Sequence, residues 1–240
     1  MKLFVRAVII LILSLSGCDL YSQQVYVLSV GISDYPGTEF DLRLPTNDAS
    51  AIVKLYKTNN SATTKLLLNE KATHQAIVDA AKSLYKNAGP DDIVVFYFSG
   101  HGSPSGFVAY DKQLHYETLR MVFSECKSKH KMIFADSCFA GKLRDARQKS
   151  ENNPQNIDLM LFLSSRHNET SIEKSVMENG CFTACLIKCL KGGADVDRNR
   201  IITAKELFTE VARGVKILSH DQQHPVMWGN FDDDMIVMKW

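Results

Sequence analysis

Apolar residues in this chain fall into two kinds of run. Short, nearly unbroken stretches rich in β-branched and aromatic residues read as strands buried on both faces. They are VYVLSVGI (Val25 to Ile32), DIVVFYFSG (Asp92 to Gly100), KMIFAD (Lys131 to Asp136) and IDLMLFLSS (Ile157 to Ser165). Between them, apolar residues recur at helical spacing. Ile52, Leu55 and Tyr56 mark a helix opening near Asn47 or Asp48, after a loop holding Pro36 and Gly37. THQAIVDAAKSLYKNAG marks another, with Thr73 as its cap and Gly89 and Pro90 as its stop. KLLLN (Lys65 to Asn69) adds a short strand, HYETLRMVFSEC a third helix, Phe182 to Leu190 and Ala204 to Val215 two more, and DMIVMKW a last strand. Strand and helix alternate, which predicts an α/β fold with a mostly parallel sheet of about six strands covered by helices on both faces. A length of 240 residues suits a single such domain, and there is no internal repeat.

Two segments depart from this pattern. Gly141 to Asn156 (GKLRDARQKSENNPQN) is polar and turn-rich and reads as an exposed loop carrying Lys142, Arg144, Arg147 and Lys149. The N-terminus has Lys2 and Arg6, then the apolar AVIILILSL, then small residues, which is the pattern of an export signal over residues 1–24. That apolar run is too short to cross a bilayer. LSGC (Leu15 to Cys18) resembles a bacterial lipobox, so the expectation is an exported protein, held at the periplasmic face or cell envelope by a lipid on Cys18 or else secreted after cleavage near Ser22. Membrane contact would then run only through that lipid. The folded domain is expected over residues 25–240.

Composition narrows the classes of function. A net charge of +1, with no Lys/Arg stripe interleaved with aromatics, argues against a nucleic-acid partner. Beyond Cys18 the chain has Cys126, Cys138, Cys181, Cys185 and Cys189, an odd number without the density of a disulfide-built domain. Cys181, Cys185 and Cys189 recur every four residues and read as small apolar residues along one helix face; no nearby histidine favours zinc.

The candidate chemistry lies at two strand ends. FYFSGHGSPSG sets His101 between Gly100 and Gly102, and KMIFADSCFAG presents Asp136, Ser137 and Cys138. If these strands are parallel neighbours, both finish at the carboxyl edge of the sheet, where α/β proteins bind ligands. An imidazole beside a thiol can take up its proton or stabilise the thiolate, and can later protonate a leaving amine. Amides of Gly102 and Cys138 are suited to holding the oxyanion of a tetrahedral intermediate. Taken one at a time, each residue has a plainer explanation: a packed cysteine, a turn at His–Gly, Asp48 as a helix cap, Asp136 as a turn residue. Those explanations do not predict one another, whereas one catalytic reading accounts for His101 and Cys138 together. His74, His115, His130, His167, His220 and His224 have no comparable setting.

SGHG after one strand and DSCFAG after the next resemble the paired signatures of the caspase and metacaspase cysteine peptidases, and LPTNDA (Leu44 to Ala49) is similar to a segment lining their specificity pocket. The similarity continues through NGCFTACLIKCL, so it runs from Val25 onward. It implies a caspase-like three-layer α/β/α sandwich and a His101–Cys138 dyad hydrolysing peptide bonds in protein or peptide substrates. In metacaspase-like members the aspartates matching Asp48 and Asp136 form an acidic pocket, which implies cleavage after Arg or Lys. Two carboxylates attract a cationic side chain and repel an acidic one. Caspases that cleave after Asp place arginines there; Arg43 is close in sequence but not at the matching position. Phe139 departs from the histidine found in many metacaspases. The alternatives are a caspase-like peptidase with a non-basic preference and a caspase-like module that binds a partner without turnover. With basic specificity, the loop at 142–149 becomes a candidate for self-processing.

No cofactor is required by this chemistry, although calcium dependence is common among metacaspases. DVDRNRIITAKE (Asp195 to Glu206) offers Asp195, Asp197, Asn199 and Glu206 at calcium-loop positions, with Ile202 at the apolar one. Arg200 stands where such loops need glycine. The plainer alternative is a polar turn, then Thr203 as a helix cap with Glu206 closing a capping box.

Overall fold

A computed structural model describes residues 23–58, 61–137, 158–165 and 178–239. The leader with Cys18, the residues Cys138 and Phe139, the loop at 142–149 and His167 lie outside the described residues.

The four long apolar runs form parallel strands at the centre of the molecule: β1 (Val25–Gly31), β3 (Ile93–Ser99), β7 (His130–Asp136) and β8 (Leu159–Leu163). With β2 (Ala62–Leu68) and β10 (Val226–Asn230) they make a six-stranded sheet in the order β10-β8-β7-β3-β1-β2, antiparallel only at β10. Every residue of β3 is buried, which is why its sequence shows no polar alternation. Its side chains still divide by the period of two: Val94, Phe96 and Phe98 enter one core, Ile93, Val95 and Tyr97 the other.

The first core is covered by α2 (His74–Tyr85) and α3 (Tyr116–Ser124). The second is covered by α1 (Pro45–Tyr56), α4 (Cys181–Lys188) and α5 (Ala204–Leu218). This is the α/β/α sandwich. Fully buried Phe96, Phe98, Phe134, Phe162 and Phe182 each contribute about 1.5–3 kcal/mol through burial alone. Thr73 caps α2 by accepting a hydrogen bond from the Ala76 amide at 3.2 Å, as its position before the apolar repeat predicts.

Four features differ from the sequence expectation. α1 begins at Pro45, whose missing N–H is no loss in a first turn, so Asp48 lies inside the helix and is not its cap. The sixth strand of the sheet is β10, whose residues are all half-buried and carry little apolar signal. The strand read from DMIVMKW does form, as β11 (Ile236–Lys239), but pairs with β9 (Ile201–Thr203) in a separate two-stranded sheet. The segment after His101 folds into a small antiparallel sheet, β4 (Gly102–Ser103), β5 (Gly106–Val108) and β6 (Gln113–His115). Among the described residues no helix is long and apolar enough to cross a membrane.

Candidate active site

The site is built where β3 and β7 end. They are parallel neighbours with Ser99 opposite Asp136, and the Gly100 amide donates to the Asp136 carbonyl at 3.3 Å, carrying the ladder one step further. His101 thus stands two residues beyond Ser99, and in sequence Cys138 follows Asp136 by the same interval. Ser137, the residue before it, is buried; its amide donates to Ser164 Oγ, which donates back to the Ser137 carbonyl, both at 3.2 Å. A buried hydroxyl therefore continues the β7–β8 pairing after its last backbone partners, Ala135 and Leu163.

His101 is half-buried, and its ring contacts the Phe40 carbonyl and the Tyr35 ring. Nε2 lies 2.7 Å from the carbonyl oxygen of Phe40. A carbonyl only accepts, so this contact requires the proton on Nε2 and leaves Nδ1 as the basic nitrogen. Gly102, next along, pairs with Phe107 between β4 and β5, flanked by the Val108 amide donating to the His101 carbonyl at 2.9 Å. That pattern makes Gly102 and Phe107 a non-hydrogen-bonded pair, so the Gly102 N–H points away from β5.

The two aspartates come together. Asp48 on α1 and Asp136 at the end of β7 are 2% and 6% exposed. They flank the start of α4: a methyl group on Gly180 would stand 2.5 Å from Asp136 Oδ2 and 3.4 Å from Asp48 Oδ2, so a larger residue there would have to displace the Asp136 carboxylate. Asp48 accepts hydrogen bonds from Ser99 Oγ (2.9 Å), Asn179 Nδ2 (2.9 Å) and the Gly180 amide (3.0 Å), all neutral donors. Asp136 accepts from the hydroxyl (2.8 Å) and amide (3.3 Å) of Thr183, and the Thr183 hydroxyl is 2.5 Å from that of Tyr97. Burial first, and then the charge of Asp136, push the Asp48 carboxyl up to about 7, against the pull of its three donors. Burial and both carboxylates likewise raise the Tyr97 hydroxyl. Arg43, by contrast, is exposed. A buried carboxylate pair in this state favours a proton or a cationic group between its members.

Sequence reasoning missed Tyr35, Phe40, Ser99, Asn179 and Thr183 in this constellation. Phe40 contributes a backbone carbonyl, which carries no side-chain signal, and Asn179 and Thr183 lie more than 40 positions from the aspartates they bind.

The other candidates are distributed elsewhere. Asp195, Asp197 and Glu206 bring three carboxylate oxygens within 4.8 Å of one another. Arg200 adopts a left-handed conformation there (φ 66°), as does Arg198 (φ 62°), so the arginine occupies the backbone geometry for which glycine was expected. The loop is held by the Asn199 amide donating to Asp195 (3.0 Å) and Asp197 (3.1 Å) and by the Arg200 amide donating to Asp195 (3.1 Å). The capping box is formed in full, with Glu206 accepting from the amide (3.0 Å) and hydroxyl (2.9 Å) of Thr203. Cys126, Cys181, Cys185 and Cys189 are buried, and burial pushes the Cys185 and Cys189 thiols up to about 11. His115 and His220 are exposed, and His224 pairs with Asp221.

Fold and site together define a caspase-type sandwich with a buried aspartate pair beside a histidine-bearing strand end. The caspase-domain profile of peptidase family C14 matches residues 24–235, and the chain belongs to that family. Its fold is similar to that of caspase-1 from Spodoptera frugiperda, with a TM-score of 0.66 at 15% identity, covering 87% of each chain. A protein from Geobacter sulfurreducens shares it with a TM-score of 0.65 at 16% identity, covering 90% of this chain and 97% of that one. In sequence the chain is 26% identical over 240 aligned positions to metacaspase-1 of Plasmodium falciparum, covering 80% of this chain, and 32% identical over 103 positions to metacaspase-1 of Candida albicans, covering 38%. These alignments span 38% and 23% of the two relatives' own lengths.

Proposed function

We propose that this protein is a cysteine endopeptidase in which His101 and Cys138 form the catalytic dyad and Asp48 and Asp136 select Arg or Lys at the scissile bond. The observation that carries the reading is the buried carboxylate pair, drawn from α1 and β7, beside the strand end that bears His101. Nothing about a helix or a strand end calls for two carboxylates there; a cationic ligand does. His101 Nδ1 takes the thiol proton of Cys138, and the sulfur adds to the substrate carbonyl carbon. Amides of Gly102 and Cys138 hold the resulting oxyanion. The proton passes from Nδ1 to the leaving amine as the C–N bond breaks, and water then hydrolyses the thioester.

A fluorogenic panel ending in Arg, Lys, Asp or Asn tests this. Cleavage after Arg and Lys is expected, lost in Cys138→Ala and His101→Ala. Cleavage of no member, with Cys138 inert to alkylation, overturns the reading in favour of a non-catalytic module. A preference for Asp or Asn refutes the pocket assignment alone. Basic specificity also extends to the protein's own Lys142, Arg144, Arg147 and Lys149. Purified wild type is expected to show fragments ending there by intact-mass analysis and Cys138→Ala to remain whole; equal masses end the self-processing reading.

A further inference from the structure

We propose that Tyr35 is a positioning residue for His101, acting on its main chain, on its ring and on the loop that supplies its carbonyl partner. The inference rests on the dyad reading above and adds a residue to it. Tyr35 follows β1 and is buried in a loop that is otherwise mostly exposed. Its hydroxyl accepts the His101 amide at 2.9 Å and donates to the Val108 carbonyl at 3.1 Å, while the Val108 amide donates to the His101 carbonyl. One phenol therefore ties the His101 backbone to β5 from both directions. The phenol ring lies against the imidazole, with centroids 4.9 Å apart and planes inclined at 45°. The Tyr35 amide donates to Asp41 Oδ1 at 3.1 Å, closing the loop whose Phe40 carbonyl holds His101 Nε2. Gly100 fits the same frame: with φ 153°, it would carry a methyl group 2.7 Å from the Tyr35 hydroxyl.

A single residue thus joins three restraints around the imidazole, its hydroxyl and ring acting on His101 directly and its main-chain amide on the loop that carries Phe40. Burial raises the Tyr35 hydroxyl well above the ordinary phenol range, which keeps it a hydrogen-bond donor at neutral pH. Without the hydroxyl, the His101 amide and the Val108 carbonyl lose their partner, and the Nδ1 base is no longer held in one orientation.

The test uses the full chain carrying Tyr35→Phe, which keeps the ring, and Asp41→Ala, which keeps the tyrosine and frees the Phe40 loop. In wild type, long-range proton–nitrogen correlation spectra should show the neutral His101 ring protonated at Nε2. Both variants should give a mixture of tautomers while the circular dichroism and melting transition remain those of a folded protein. On an Arg substrate kcat should fall about 10- to 100-fold with KM within about twofold, the pattern of a misplaced base and not of a lost pocket. A Tyr35→Phe protein that stays folded with wild-type tautomer and kcat overturns the proposal. So does a loss of activity in proportion to unfolded material. If Tyr35→Phe does not fold, Asp41→Ala decides by the same two readouts. The tautomer is read with or without turnover, so an inactive wild type holding a fixed Nε2–H ring would sink the peptidase reading and leave the positioning role standing.

Discussion

Asp48 shows how a residue's setting overrides its type. An aspartate early in a helix normally complements the positive end of the helix dipole at the surface; here it faces inward, and burial beside Asp136 raises it to about 7. Because the folded value exceeds that of an unfolded chain, folding favours the protonated form. The contribution is therefore most favourable below about pH 4 and declines as pH rises through about 7, where the folded carboxyl ionises at a cost on the order of a few kcal/mol. Asp48→Asn should flatten that decline: melting temperatures measured from pH 4.5 to 8 are expected to show the variant gaining on wild type toward pH 8. The same variant should lose roughly 100-fold in kcat/KM on Arg substrates, the scale of removing one partner from a buried charge pair. A variant no better than wild type at pH 8 would show that the carboxylate is not under strain.

At the scale of elements, strand ends, helix starts and short loops carry the chemistry, and their local rules are strong. The box joining Thr203 to Glu206 is one such rule, legible from TAKE alone and formed as read. Thr203→Ala should lower stability by about 1 kcal/mol in urea unfolding, and a loss below about 0.3 kcal/mol would mean the cap is idle. The calcium-loop pattern on the same residues shows the opposite difficulty. Spacing identifies which carboxylates gather, but Arg200 entered a left-handed conformation that its type disfavours, because the aspartate side chains bind the turn's amides. The small sheet after His101 left no trace in the sequence reading, since its strands are two or three residues long and stand on cross-strand pairing.

Across the whole molecule, burial is concentrated on β3 and its neighbours β1 and β7, while β2 and β10 form the edges. Native-state hydrogen exchange should therefore find the amides of Val95, Phe96 and Tyr97 opening only with global unfolding, and those of β10 opening earlier. Equal protection at Phe96 and Met227 would contradict a sheet whose stability falls toward its edge. The four long parallel strands were legible because a strand buried on both faces must be apolar throughout. β10 was not, because a half-buried edge strand containing Trp228, Gly229 and Asn230 resembles a loop in one dimension.

Sequence alone determined the layered α/β architecture, since the periods of two and 3.6 are written in the order of residues; it singled out His101 and Cys138 by their types at two strand ends, and Asp48 and Asp136 through the family resemblance. Only the tertiary structure decided that Asp48 and Asp136 converge on Gly180, that the Phe40 carbonyl selects the histidine tautomer, and that Tyr35 supports the imidazole. Those contacts join residues distant along the chain, several through backbone atoms that every residue shares, so no spacing rule could encode them.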